Sequence, residues 1–209
     1  MIWALVPAKL GAGAKGRLAE ALPAASRAAL ARDMLARVLG ALRESRRLAG
    51  IAVVSRDEAA AALARSAGAM ALPEPAGGGL NRAVGAGIGA CVQLGARAVL
   101  IAMGDLPLLS GSEVCRLLDA LPERGVALAP SRDGTGTNLL AIRPAEALAR
   151  TCFGLASRER HRREAARLGL ALRELALPGA ALDVDTSEDL AHLRAVAPAA
   201  LARAAGARS

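Results

Sequence analysis

Residues 98–107 read Ala98-Val99-Leu100-Ile101-Ala102-Met103-Gly104-Asp105-Leu106-Pro107, and this stretch decides the fold. Its opening run of apolar residues with β-branched members is what a parallel strand covered on both faces requires. Gly104 brings bare backbone to the end of that strand, which puts Asp105 at the carboxyl edge of a sheet, where open α/β sheets bind ligands. Pro107 fixes the exit of the chain. A carboxylate at such an edge suits a hard divalent cation, which takes oxygen ligands. An Asp that only caps the following helix is the competing reading.

Outward from this strand, strand and helix signals alternate. Upstream lie apolar runs at Met1 to Pro7, Ile51 to Ser55 and Ala69 to Leu72. Between the first two, Leu30, Met34, Leu35, Val38 and Leu42 recur at helical spacing opposite Arg27, Arg32, Arg37 and Arg43, which predicts an amphipathic helix over 24–43. An alanine-rich helix to about Ser66 and another opening at Leu80-Asn81-Arg82 follow. Downstream come a helix near 112–121, a strand over 126–129 and the apolar run Leu139 to Ile142. The alternation predicts an α/β chain with a mostly parallel central sheet and helices on both faces. We place a single domain over 1–198 and a loose tail over 199–209.

The 209 residues are enough to bury one core. A hydrophobic fraction of 54% without a membrane-length apolar run argues for a soluble globule, not a membrane protein. Pro7 and Lys9 cut short any signal peptide, so the expected location is cytoplasmic. Cys91, Cys115 and Cys152 are too scattered for a zinc site or a disulfide framework. The net charge of +8 calls for anionic partners, either nucleic acid or small phosphorylated ligands. One Trp, one Phe and no Tyr leave little on which to stack bases, which argues against nucleic acid.

The segment Ala8-Lys9-Leu10-Gly11-Ala12-Gly13-Ala14-Lys15-Gly16-Arg17-Leu18 is a basic, glycine-rich loop after the first strand. Free backbone N–H groups with Lys9, Lys15 and Arg17 suit a triphosphate; a plain surface loop is the alternative. Residues 11–16 also spell Gly-x-Gly-x-x-Gly, but Lys9 and Leu10 intervene after the strand and Pro23 delays the first helix, so the dinucleotide fingerprint fits poorly. Residues 131–138, Ser-Arg-Asp-Gly-Thr-Gly-Thr-Asn, form a second loop of N–H and hydroxyl donors suited to a small anion or sugar. Asp57, at the end of the second strand, could face a ligand, with a helix N-cap the favoured reading. His161 lies in a basic helical stretch after Phe153, with no motif supplying a triad around it. Near the end, Asp183 and Asp185 lie two residues apart, and Thr186 with Asp189 fits a capping box.

Taken together, Val6-Pro7-x-Lys9, Ala14-Lys15-x-Arg17-Leu18, Gly79-Leu80-Asn81, Asp105-Leu106-Pro107, Gly136-Thr137-Asn138, Phe153-Gly154-x-x-Ser157 with His161, and Leu182-Asp183-x-Asp185-Thr186 resemble the 2-phospho-L-lactate guanylyltransferase family of coenzyme F420 biosynthesis. That family sits among the nucleotidyltransferases that include the molybdenum-cofactor guanylyltransferases. The resemblance runs from Val6 to Leu190 and implies a single-domain Rossmann-like nucleotidyltransferase fold. It implies transfer of GMP from GTP to a phosphorylated three-carbon acid, with phosphoenolpyruvate favoured over 2-phospho-L-lactate and 3-phospho-D-glycerate. By the same resemblance Asp105, Asp183 and Asp185 hold magnesium, Thr137, Gly154 and Ser157 hold the acid, Lys9, Lys15 and Arg17 cradle the triphosphate, and Asn81 lies near the nucleoside. Gly16 stands where the family often has Ser, and Arg158 where it usually has Phe, a change expected to bear on acid selectivity. A molybdopterin or sugar-phosphate nucleotidyltransferase, or a dinucleotide-dependent oxidoreductase, are the rival readings. The oligomeric state is left open, a homodimer included.

Overall fold

In the computed structural model, which describes residues 1–11, 13–148 and 150–198, the run that decides the fold is the middle strand of seven. The sheet has the order β3-β2-β1-β4-β6-β5-β7, with β1 at Ile2–Pro7, β2 at Gly50–Ser55, β3 at Met70–Pro73, β4 at Ala98–Ala102, β5 at Gly125–Pro130, β6 at Thr137–Arg143 and β7 at Ala171–Glu174. Among the described residues seven α-helices accompany them: α1 Ala24–Glu44, α2 Glu58–Ser66, α3 Leu80–Gln93, α4 Gly111–Asp119, α5 Ser157–Arg167, α6 Pro178–Ala181 and α7 Ser187–Val196, with a short 3-10 turn at Gly16–Leu18. The expected tail over 199–209 lies outside the described residues.

The period of two along each strand divides the core into two layers. Ala98, Leu100 and Ala102 of β4 join Leu35, Val38, Leu39 and Leu42 of α1 and Val114, Leu117 and Leu118 of α4 on one face. Val99 and Ile101 join Val84, Ile88 and Cys91 of α3 and Ala165 of α5 on the other. With helices on both faces, every β4 side chain is buried, which is why the run carries no polar residue. A third, smaller cluster packs Leu18, Leu30 and Met34 against Leu182, Val184, Leu190 and Leu193. It binds the N-terminal loop to the segment that carries Asp183 and Asp185.

The sheet is mostly parallel, as expected, with one reversal. β6 runs antiparallel to both β4 and β5, while β7 pairs parallel with β5. β7 was not anticipated: at four residues, with half of them exposed, it is an edge strand without the apolar run that marks a buried one. Among the described residues no helix is long and apolar enough to cross a membrane.

Candidate active site

The strand directions bring one set of ends together. β1, β2, β4, β5 and β7 all finish at one edge of the sheet, and the reversed β6 begins there. Asp105 lies just beyond β4, and the Val184 N–H donates to the Asp105 carbonyl at 3.3 Å, which draws the 182–186 segment alongside. Val184 is fully buried between the two acids, so the alternation of the chain turns Asp183 and Asp185 away from the core. The predicted capping box then starts α7, with Thr186 Oγ1 accepting from the Asp189 N–H and the Asp189 carboxylate accepting from the Thr186 N–H.

Lys15 reaches into this acidic corner. Its Nζ donates to Asp105 Oδ2 at 2.5 Å and to Asp185 Oδ1 at 2.7 Å, with the side chain 10% exposed. Burial disfavours the ammonium charge, but Asp105 and Asp185 outweigh it and raise the Lys15 pKa above its ordinary value. Arg17, much more exposed, comes within 4.0 Å of Asp185. Asp183 faces another way: its Oδ1 accepts from the Asn138 carboxamide at 3.1 Å. Burial pushes the Asp183 carboxyl up, the Asn138 bond pulls it down, and the charges of Asp105 and Asp185 add to the rise.

Two clefts open on this corner. One, of about 450 Å³, is lined by Pro7, Lys9, Gly13 and Lys15 of the N-terminal segment together with Gly79 and Glu74. The other, of about 610 Å³, is lined by Arg17, Thr137, Gly154, Ser157 and Asp183. Leu80, Met103, Asp105 and Asp185 belong to both. The residues expected to hold the acid therefore share one cleft, and Lys9 and Lys15 share its neighbour. Arg17 faces the second cleft. Asn81 lines neither: its Oδ1 accepts from Thr151 Oγ1 and the Phe153 N–H, and its Nδ2 donates to the Phe153 carbonyl. That carboxamide ties down the loop leading to Gly154, whose φ of 112° is open to glycine and not to residues with a Cβ.

Several contacts that shape the clefts had no sequence signal. Asp57 stands at the N-cap position of α2, as expected, but makes no side-chain cap bond. Its Oδ2 instead accepts from the Leu10 N–H at 2.6 Å and the Gly11 N–H at 3.0 Å, pinning the N-terminal loop to the end of β2. A Cβ on Gly11 would stand 2.9 Å from Asp57 Oδ1, so glycine permits this approach. His161 is fully buried, with Nδ1 3.1 Å from Thr137 Oγ1 and Nε2 accepting from the Cys152 N–H at 2.9 Å. Phe153 meets its ring edge-on at 4.9 Å. Burial and the neighbouring Arg160 charge lower its pKa to about 4, against a pull the other way from the Ser157 backbone, so the ring is neutral. Arg158, singled out as a departure, turns from the clefts to Glu174 and the Gly134 carbonyl and latches the 131–136 loop.

A hard divalent cation fits the donor chemistry of the corner, which offers carboxylate oxygens and no thiol or imidazole. Asp105 Oδ1 is buried without a hydrogen-bond partner, a position that calls for a cation or donor. The acids are not a ready-made cage: among the described residues no group of three or more His, Cys, Asp or Glu comes together to hold a metal. Lys15 is the cation between Asp105 and Asp185.

The family model for CofC-like guanylyl transferases matches residues 2–196. A phosphoenolpyruvate guanylyltransferase of Sphaerobacter thermophilus is 41% identical over 195 residues, covering 93% of each chain. A 3-phospho-D-glycerate guanylyltransferase of Phenylobacterium zucineum is 38% identical over 193 residues, covering 90% of this chain and 88% of the relative. In fold, a nucleotidyl transferase from Methanothermobacter thermautotroptrophicus superposes with a TM-score of 0.68 at 18% identity, covering 93% of this chain and 96% of the other. On the match of nearly the whole chain to that model, the protein belongs to the CofC-like guanylyl transferase family and is a nucleotidyltransferase.

Proposed function

We propose that the protein transfers GMP from GTP to phosphoenolpyruvate, releasing pyrophosphate, in the biosynthesis of coenzyme F420. The observation that carries this reading is the pair of clefts meeting at Asp105 and Asp185, because joining two anionic substrates needs two sites with a shared border. The relative named for phosphoenolpyruvate at 41% identity supports the choice of acceptor. The relative named for 3-phospho-D-glycerate makes that acid the second candidate.

In this reading the triphosphate lies along Lys9 and Lys15, whose charges offset those of the phosphates. The acceptor lies against Thr137, the Gly154 turn and Ser157, with its phosphate directed to the shared corner. A phosphate oxygen of the acid attacks the α-phosphorus in line, a new P–O bond forms on the acid, and the bond to pyrophosphate breaks. No covalent enzyme intermediate is needed, and positioning supplies most of the rate. Asp105, Asp183 and Asp185 are the residues that would hold magnesium, which when bound offsets charge on both phosphates. The buried Val184 between them keeps Asp183 and Asp185 turned out of the core, and Asn138 fixes the Asp183 carboxylate beside the corner.

The test is mass spectrometry of products from GTP and magnesium with phosphoenolpyruvate, 2-phospho-L-lactate and 3-phospho-D-glycerate in turn. A guanylylated enolpyruvate product formed fastest is the expected result. Preference for glycerate would reassign the acceptor, and no product from any acid would overturn the reading.

A further inference from the structure

We propose that His161 is a positioning residue that makes the Thr137 hydroxyl an obligatory hydrogen-bond donor into the acceptor cleft, so that this point of the cleft selects an acceptor oxygen, such as that of a carboxylate or phosphate, over a donor. The proposal rests on the acceptor assignment above. It starts from the two nitrogens of one fully buried ring. Nε2 lies 2.9 Å from the Cys152 backbone nitrogen, which is always a donor, so Nε2 carries no proton. The neutral ring then has its proton on Nδ1. Nδ1 lies 3.1 Å from Thr137 Oγ1, so the hydroxyl oxygen accepts there and cannot donate back. The opposite tautomer would set the Nε2 proton against the Cys152 N–H.

The Thr137 proton is thereby left for the cleft, which Thr137 lines beside Gly154, Ser157 and Asp183. A donor held this way favours a carboxylate or phosphate oxygen over an amide N–H or any other donor, which would leave both groups unpaired. The same ring joins three pieces of the acceptor side that are distant in sequence: the start of β6 at Thr137, the loop at Cys152 and α5, on which it sits. Phe153 packs against the ring, and His161 is fully buried.

The tautomer is read directly from the imidazole nitrogen signals of ¹⁵N-labelled protein, where His161 is one of only two histidines. The expected result at neutral pH is a proton on Nδ1 and a bare Nε2; a proton on Nε2 overturns the proposal with no substitution made. Kinetics supply the second arm. His161→Gln offers its carbonyl to the Cys152 N–H but no donor toward Thr137, and is expected to raise the KM for phosphoenolpyruvate about tenfold while leaving that for GTP within about twofold. His161→Asn, whose amide nitrogen falls where Nδ1 was, should recover most of the loss. Thr137→Val should match His161→Gln, and the double variant should be no worse than either, because both act through one hydroxyl. Additive losses, or an equal rise in the KM for GTP, would overturn the proposal. A wild-type enzyme that makes no product from any acid would instead sink the proposed function and leave the tautomer result standing.

Discussion

Replacing Asp57 by Ala removes the acceptor for two backbone N–H groups that converge on one oxygen, Leu10 at 2.6 Å and Gly11 at 3.0 Å. Bonds to a charged acceptor contribute about 1.5–3 kcal/mol each. Asp57 is half-buried, so the lower figure applies, giving about 3 kcal/mol for the pair. That loss has two places to go. If the loop holds its shape, the donors stay unpaired and the melting temperature falls, by about 6–12 °C at about 2–4 °C per kcal/mol for a chain of this size. If the loop lets go, water takes the donors and the melting point barely moves. GTP must then reorder the loop, and its KM rises by up to about two decades. The two readouts trade against each other and together account for about 3 kcal/mol. Asp57→Asn can offer one carbonyl oxygen to both donors and loses only the charge, so about half that cost is expected. Gly11→Ala presses a Cβ to 2.9 Å from Asp57 Oδ1 and should resemble Asp57→Ala. Calorimetry beside GTP saturation at fixed acid concentration decides. An Asp57→Ala enzyme with unchanged melting point and unchanged KM for GTP would refute the clamp, as would one in which only the acid KM moves.

Asp183 carries an ionised form that burial disfavours; with its folded pKa raised, the stability it contributes is present at low pH and lost as pH rises through that pKa. Asp183→Asn should therefore melt higher than wild type above neutral pH, converge with it in acid, and lose about two decades of turnover, about 3 kcal/mol of barrier; a lower melting point at pH 8 would contradict this. The two Asn138 Nδ2 protons are shared among the Ala180 and Ala181 carbonyls and Asp183, so Asn138→Ala should cost about 2 kcal/mol, measurable by denaturant titration as a lower midpoint at constant slope. Arg17 borders the second cleft and not the first, and Arg17→Ala is expected to raise the KM for the acid several-fold while sparing that for GTP, with initial-rate kinetics as the check.

The apolar runs of the buried strands made the sheet legible, because a strand covered on both faces can carry little else. Helix α1 was legible from its apolar spacing, and the Thr186–Asp189 box from its two residues, while the four-residue α6 had no signal. Contacts between distant segments were not. Asp57 beside Leu10 depends on β1 and β2 lying next to each other in parallel register, and nothing in the local sequence at 57 distinguishes that carboxylate from a helix cap. His161 looked like one more residue in a basic helix, since its partners come from positions 137 and 152. Arg158 binds Glu174 of β7, the strand the sequence did not reveal, so that contact had no local signal either.

The reversal of β6 was legible in principle, through the length of the connection before it. Six residues, 131–136, separate β5 from β6, too few for the crossover of a dozen or more that parallel neighbours need. An antiparallel pair was the remaining option, and its consequence for the site is large. A parallel β6 would start at the far edge of the sheet, and seven residues at about 3.3 Å each would hold Thr137 and Asn138 roughly 20 Å from Asp105. Reversed, β6 starts where β4 ends, with Ala102 opposite Leu139 and the Met103 N–H donating to the Asn138 carbonyl at 3.0 Å. One antiparallel strand thus delivers both the Thr137 hydroxyl of the second cleft and the carboxamide that holds Asp183. β7 then carries the chain back to the same edge, where 182–186 pairs with Asp105. The second cleft is therefore a product of strand direction, which explains why the residues expected to hold the acid are dispersed over 137–185 while those of the N-terminal loop fall within 9–17.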